Sequence, residues 1–209
     1  MNEIFLTISL LAVPVLLAVT VHEVAHGWVA YRLGDPTAKL AGRLTLNPIK
    51  HLDPIGTLAF VITQMVGWAK PVPVNPNNLR RPRQDMVWVA AAGPTANILL
   101  AVGFAAVFHL VGRLLTGVAP EAFVLPVLLI ARYGVYVNLG LAFFNILPVP
   151  PLDGGNIALG LLPRDLAIRY DQLRPYGFIL LLILIFTGVV AKVIFPVIRA
   201  VAALLLLGY

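Results

Sequence analysis

From Ile4 to Val21 the chain runs without a single charged side chain, and the next five residues are His22-Glu23-Val24-Ala25-His26. An apolar run of this length approaches the roughly 20 residues a helix needs to cross the hydrocarbon layer. Inside a bilayer the backbone must satisfy its own hydrogen bonds, so such a run becomes a helix. Three ionisable residues placed directly at its end are costly there unless they have partners and a purpose.

Two His at i and i+4 share one helix face. Their imidazoles can reach one metal ion, with the intervening Glu beside it as a general base. The chain has 209 residues, 60% of them hydrophobic and 11% charged, with a mean hydropathy of +0.92. Soluble domains carry about 25% charged residues, so a soluble enzyme is excluded. No polar stretch is long enough to build a second unit, and residues 1–209 read as one integral-membrane domain. Cysteine is absent. A metal would therefore be held by His and carboxylate, the donor set of catalytic zinc rather than of structural zinc. The net charge is +6, but the basic residues sit in short loops between apolar runs. That pattern sets topology and meets anionic lipid, and it argues against a nucleic-acid partner. Met1-Asn2-Glu3 is acidic where a secretory signal would be basic, so the first segment is expected to be a retained helix.

The first span is expected over about Ile4 to Leu33, kinked at Pro14 and closed by Gly34-Asp35-Pro36. Thr37 to Thr45 alternates loosely, which predicts a short hairpin. Ile55 to Val66 is too short to cross and predicts a re-entrant or interfacial element. Lys70-Pro71-Val72-Pro73-Val74 carries alternate prolines, which an exposed edge strand tolerates, and Gly67 to Val74 is expected to form one. Met86 to Gly112 and Glu121 to Leu147 are the second and third spans, and Pro175 to Ala191 a fourth. Val193 to Leu207 is either a fifth span or an interfacial segment. The expected fold is an all-α polytopic bundle of about four to six membrane segments, with a small β-hairpin or edge-strand element near the cytoplasmic face.

Arg32, Lys39, Arg43, Lys50, Lys70, Arg80, Arg81, Arg83, Arg164, Arg169 and Arg174 fall on one side if Ile55 to Val66 does not cross. These are eleven of the fifteen basic residues, and the positive-inside rule makes that side cytoplasmic. The ends of the first and third spans meet there. The third span ends in Asn145-Ile146-Leu147-Pro148-Val149-Pro150-Pro151-Leu152-Asp153-Gly154-Gly155. A zinc hydrolase needs a third protein ligand and one open position. Asp153 is the best candidate, since an ionised carboxylate in apolar surroundings calls for a counter-charge. Gly154-Gly155 would let the backbone turn tightly beside it.

Three motifs in this order, His22-Glu23-Val24-Ala25-His26, Gly93-Pro94-Thr95-Ala96-Asn97 and Asn145 through Asp153-Gly154-Gly155, make the chain resemble the site-2 proteases, the intramembrane zinc metalloproteases. The resemblance is to the compact branch without appended regulatory domains and extends over roughly Ile4 to Ile185. It implies one zinc ion per chain on His22, His26 and Asp153, with Glu23 activating water. It also implies that Asn145 lies close to the catalytic centre, in contact with substrate or oxyanion. Asn97 matches a family Asn in a small-residue helix. The implied activity is hydrolysis of a peptide bond within or next to a transmembrane segment of a membrane-protein substrate. The implied setting is a multi-pass protein of a cell membrane, of bacterial or archaeal type, with its site toward the cytoplasm. The pattern does not fix the oligomeric state.

The alternative from another class is a membrane metal transporter or metal sensor using the same His and Asp. Transporters distribute polar groups across the membrane, whereas here they cluster on one side. His51 reads as a solvated turn residue and His109 as an outer-end residue, neither of them a ligand. Arg132 is expected to snorkel, and Gly93 to serve close helix packing.

Overall fold

Apolar run length sets the architecture. In a computed structural model, which describes residues 2–63 and 69–207, the chain forms helices α1 (Asn2–Arg32), α2 (Thr37–Leu40), α3 (Pro54–Thr63), α4 (Pro82–Leu115), α5 (Glu121–Ile146), α6 (Asp153–Leu161), α7 (Arg164–Asp171), α8 (Gly177–Phe186) and α9 (Val189–Leu205). Three helices are long and apolar enough to cross a membrane: Ile8–Arg32 within α1, Pro82–Leu115 and Glu121–Ile146. They pack on one another as a three-helix unit, with α6 against α4 and α9 against α5.

Hydrophobic burial does not drive helices together inside lipid, so close backbone approach must. Gly134 on α5 shows how: a Cβ there would lie 2.4 Å from the Phe104 ring of α4. Beyond it, Ala101 and Ala105 of α4, Val135 and Leu139 of α5, and Ile194, Ile198 and Ala202 of α9 form a continuous buried cluster. The helix ends obey local chemistry. Pro82 opens α4, where a missing N–H costs nothing, and the Asp85 carboxylate accepts the Arg81 amide at 2.8 Å. Gly34 closes α1 at φ +115°, against the Asn78 carbonyl.

Two expectations are overturned. No β-strand or sheet forms among the described residues. The expected hairpin over Thr37 to Thr45 does not form: Thr37–Leu40 is a helical turn, α2, entered through a local turn in which Asp35 Oδ1 accepts the Thr37 amide at 3.1 Å, and Ala41 to Thr45 is turn and irregular chain. Of the expected edge strand, Gly67 and Trp68 lie outside the described residues. The remainder is extended, but its one β-type contact is an isolated bridge between Leu52 and Ala69. Its Lys70 amide goes to the His51 carbonyl, and its Val72 and Asn75 amides go to the carboxylates of Glu23 and Asp35 and not to a neighbouring strand. The span count falls at or below the low end of four to six: among the described residues three helices qualify, or four if one bent pair counts as a single span. Pro175 to Ala191 is broken because Gly188 takes a left-handed conformation (φ 73°), and the chain bends by 71° between α8 and α9. Of the short element expected over Ile55 to Val66, Gln64 to Val66 lie outside the described residues, and the described α3 rises about 15 Å over ten residues.

Outside the spans, Asp35 is a fully buried hub. Its carboxylate accepts the amides of Thr37 and Asn75, the Thr37 hydroxyl and the Asn78 side-chain amide. Burial alone would push its pKa up. The donors from Thr37, Asn78 and Asn75 outweigh it and hold the carboxyl below its ordinary range. A depressed folded pKa means stability that is present above the unfolded value of about 3.9 and lost as pH falls through the folded value. Asp35→Asn should therefore cost about 1–3 kcal/mol at neutral pH. Thermal unfolding in detergent should show that gap constant from about pH 8 to 5 and shrinking below about pH 4.

Candidate metal centre

The α1 helix runs unbroken through His22 and His26 and puts both rings on one face. Their Nε2 atoms lie 3.0 Å apart. Asp153, the first residue of α6, brings Oδ2 to 3.2 Å from His22 Nε2 and 3.3 Å from His26 Nε2. All three side chains are largely shielded from solvent. The turn from α5 to α6 makes this approach possible. A Cβ on Gly154 would lie 2.0 Å from the Ile146 carbonyl oxygen, so only glycine lets the chain fold back this tightly behind Asp153.

The second nitrogen of each ring decides what the cluster can do. His26 Nδ1 lies 2.6 Å from the Val89 carbonyl, which can only accept. His22 Nδ1 lies 2.6 Å from Asn97 Oδ1. The orientation of Asn97 is fixed in turn, because its amide donates to the Ala18 carbonyl (3.0 Å) and to Asn138 Oδ1 (2.9 Å). Asn138 is itself oriented by donation to the Gly134 carbonyl at 2.8 Å. Both Asn are fully buried. Each ring therefore carries its proton on Nδ1 and presents an Nε2 lone pair to the cluster. Asp153 Oδ2 is buried with no hydrogen-bond donor. Two lone pairs and a carboxylate oxygen thus converge on one point, an arrangement that repels itself unless a cation sits within it.

Zinc fits this donor set. Ligands at about 2.0–2.1 Å in tetrahedral array stand roughly 3.3 Å apart, and the three edges here are 3.0, 3.2 and 3.3 Å. Gly93 of α4 keeps the space open: a Cβ there would lie 2.4 Å from His26 Nε2 and 2.7 Å from His22 Nε2. This glycine, expected to serve helix packing alone, borders the centre. Among the described residues, His22, His26 and Asp153 are the one group of three or more such side chains placed to hold a metal.

The remaining site residues divide. Glu23 accepts the Val72 backbone amide on Oε2 at 2.7 Å. Asn145 donates one amide hydrogen back along its own helix to the Leu141 carbonyl at 3.0 Å. His51 stays out of the centre, as expected, but is fully buried and not solvated, with Nε2 2.8 Å from the Thr45 carbonyl. His109 lies 2.7 Å from the Leu205 carbonyl. Asn138 and the Val72 amide were missed. An Asn in the middle of an apolar span is a signal that it has a partner, whereas a backbone amide leaves none.

Gly93→Val should abolish zinc binding while the helices still assemble, measured as zinc per chain on monodisperse protein. Asn97→Leu, which frees His22 Nδ1, should weaken zinc by about 10–100-fold in a competition titration; unchanged affinity would show that this network is only packing.

The model of Peptidase family M50 matches residues 10–124, more than half of the chain. YwhC of Bacillus subtilis, a protein named as a zinc metalloprotease, is 40% identical over 193 residues, covering 91% of this chain and 86% of the relative. Rip2 of Mycolicibacterium smegmatis, similarly named, is 27% identical over 180 residues, 82% of this chain and 64% of its own length. Rip2 of Mycobacterium tuberculosis is 30% identical over 149 residues, 66% of this chain and 52% of its own. No solved structure matches the chain. A His, His and carboxylate centre set among membrane helices agrees with those matches, and the chain belongs to peptidase family M50, the intramembrane zinc metalloproteases of the site-2 protease type.

Proposed function

We propose that this single-domain chain cleaves a transmembrane protein substrate within or next to its membrane segment, with Glu23 as general base and acid and Asn145 as an oxyanion donor. One observation carries the reading. The Glu23 carboxylate follows His22 directly on α1, and among the described residues only one of its oxygens is engaged, by the Val72 amide.

Bound by His22, His26 and Asp153, zinc would lower the pKa of water toward about 7 and polarise the scissile carbonyl. Glu23 Oε1 takes the proton from the attacking water and passes a proton to the departing nitrogen. The Asn145 amide carries two hydrogens. One goes to Leu141, and the second is left to meet negative charge developing on the carbonyl oxygen. Asn97 and Val89 hold the two rings so that neither needs to reorient as charge develops. A helical substrate hides its carbonyls in i to i−4 hydrogen bonds, so the scissile region has to unwind first.

The site is proposed to face the cytoplasm. Arg32 stacks over the exposed Trp28 ring, 5.2 Å from its centroid, at the end of α1. Such a pair suits the headgroup layer. The positive-inside rule, applied to the eleven basic residues expected on this side, supports assigning that layer to the inner leaflet.

The test is cleavage of a single-span substrate by purified protein in proteoliposomes. Glu23→Gln should keep one zinc per chain and lose activity by about 10²–10⁴-fold. Asp153→Ala should lose both zinc and activity, and chelator should inactivate the wild type reversibly. Glu23→Gln cleaving within threefold of wild type would sink the assignment of the base.

A further inference from the structure

Among the buried polar residues outside the metal centre and its asparagine network are Asp35, Arg43 and His51. All three touch one short segment, Lys70-Pro71-Val72-Pro73-Val74-Asn75. The His51 carbonyl accepts the Lys70 amide at 2.9 Å. Arg43 Nη2 donates to the Lys70 carbonyl at 2.6 Å. Asp35 Oδ2 accepts the Asn75 amide at 2.7 Å. The segment is a strap tied down at both ends, and Val72 sits at its middle.

Proline chemistry then singles out one donor. Pro71 and Pro73 have no N–H, and each keeps the residue before it extended. Between the two tied ends the Val72 amide is flanked by positions that cannot donate. It points at Glu23 Oε2, 2.7 Å away. The Val72 side chain is buried and faces Gly27, one turn along α1 from Glu23; a Cβ on Gly27 would lie 2.9 Å from Val72 Cγ1.

We propose that the Val72 amide is a positioning group for the general base. A Glu carboxylate is free to turn about a broad terminal torsion. One charge-assisted N–H···O bond fixes Oε2 and thereby presents Oε1 to the reacting water. The strap acts through Glu23 and touches neither zinc nor the scissile bond. The Arg43 and Asp35 side chains and the His51 backbone carbonyl serve it by holding the amide in register with α1. The inference rests on the reading of Glu23 as the base.

The experiment replaces the donor and not the side chain's surroundings. Val72→Pro removes the N–H in a segment already flanked by proline. Val74→Pro makes the same change at a donor that does not meet Glu23. Should either variant fail to assemble, the amide-to-ester exchange at the same two positions deletes the N–H with the side chain intact. Zinc per chain, kcat, KM and the infrared carboxyl band lost in Glu23→Gln are measured for each. The expected result at position 72 is a kcat lower by about tenfold or more, within what a misplaced general base can cost. KM and zinc content should be unchanged and the Glu23 band shifted; position 74 should leave all four unmoved. A kcat at position 72 within twofold of wild type, an unshifted Glu23 band, a rise in KM alone, or equal losses at both positions would overturn the proposal. Glu23→Gln separates the two readings. If that variant stays active, the assignment of the base fails; if it is inactive while Val72→Pro remains fast, the strap inference alone fails.

Discussion

Two imidazole nitrogens and a carboxylate oxygen face one another across about three ångström at the edge of the apolar bundle, and the surrounding structure answers to that fact. In water, lone pairs so placed would be solvated by many donors. Here the rings have already given their protons to Asn97 and Val89, and Asp153 Oδ2 has no donor at all. A cation is the one partner that satisfies all three at once. The demand explains why α4 offers a bare Gly93 where any side chain would fill the centre. It also explains why the turn into α6 is built from residues that let the backbone fold back on itself.

The same demand explains the buried asparagines. A neutral imidazole can carry its proton on either nitrogen, and the wrong choice would aim an N–H at the metal. The relay from Gly134 through Asn138 and Asn97 to His22 settles the choice by hydrogen-bond direction alone. Such polar groups are expensive in lipid. Every side-chain nitrogen and oxygen of Asn97 and Asn138 has a partner here, which turns the expense into rigidity. Beyond the relay the space between α4, α5 and α9 is filled by Ala101, Ala105, Val135, Leu139, Ile194, Ile198 and Ala202. A metal transporter needs a polar route to the other face, and this packed apolar plug runs against one.

The legible parts of the site were those encoded by local spacing. His22, Glu23 and His26 share a helical turn, so their pattern is readable from five residues. Asp153 followed from topology, because the ends of two spans had to meet on one side. What lay deeper was illegible for physical reasons. The strap reads as an edge strand because its prolines alternate as an edge strand's would, yet its donors go to a turn carbonyl and two carboxylates. Nothing in the sequence distinguishes those acceptors from a neighbouring strand. The hairpin failed similarly: Asp35 diverts the backbone into a helical turn with its side chain, a local competition that period-two alternation does not register. Gly188 was visible, but a lone glycine in an apolar run is compatible with either a straight span or a bend.

Satisfaction of buried polar groups also accounts for the division of labour between rigid and loose parts. α1 and α6 carry the candidate metal ligands, α4 and α5 carry their supports, and α1, α4 and α5 pack on each other with α6 against α4 and α5. By contrast α3 leaves Ile55, Leu58 and Ile62 exposed along one stripe, on a segment too short to cross. A stripe of that kind calls for lipid or protein against it. The bundle supplies the fixed geometry: the three ligands and the groups that orient their rings are all carried by α1, α4, α5 and α6.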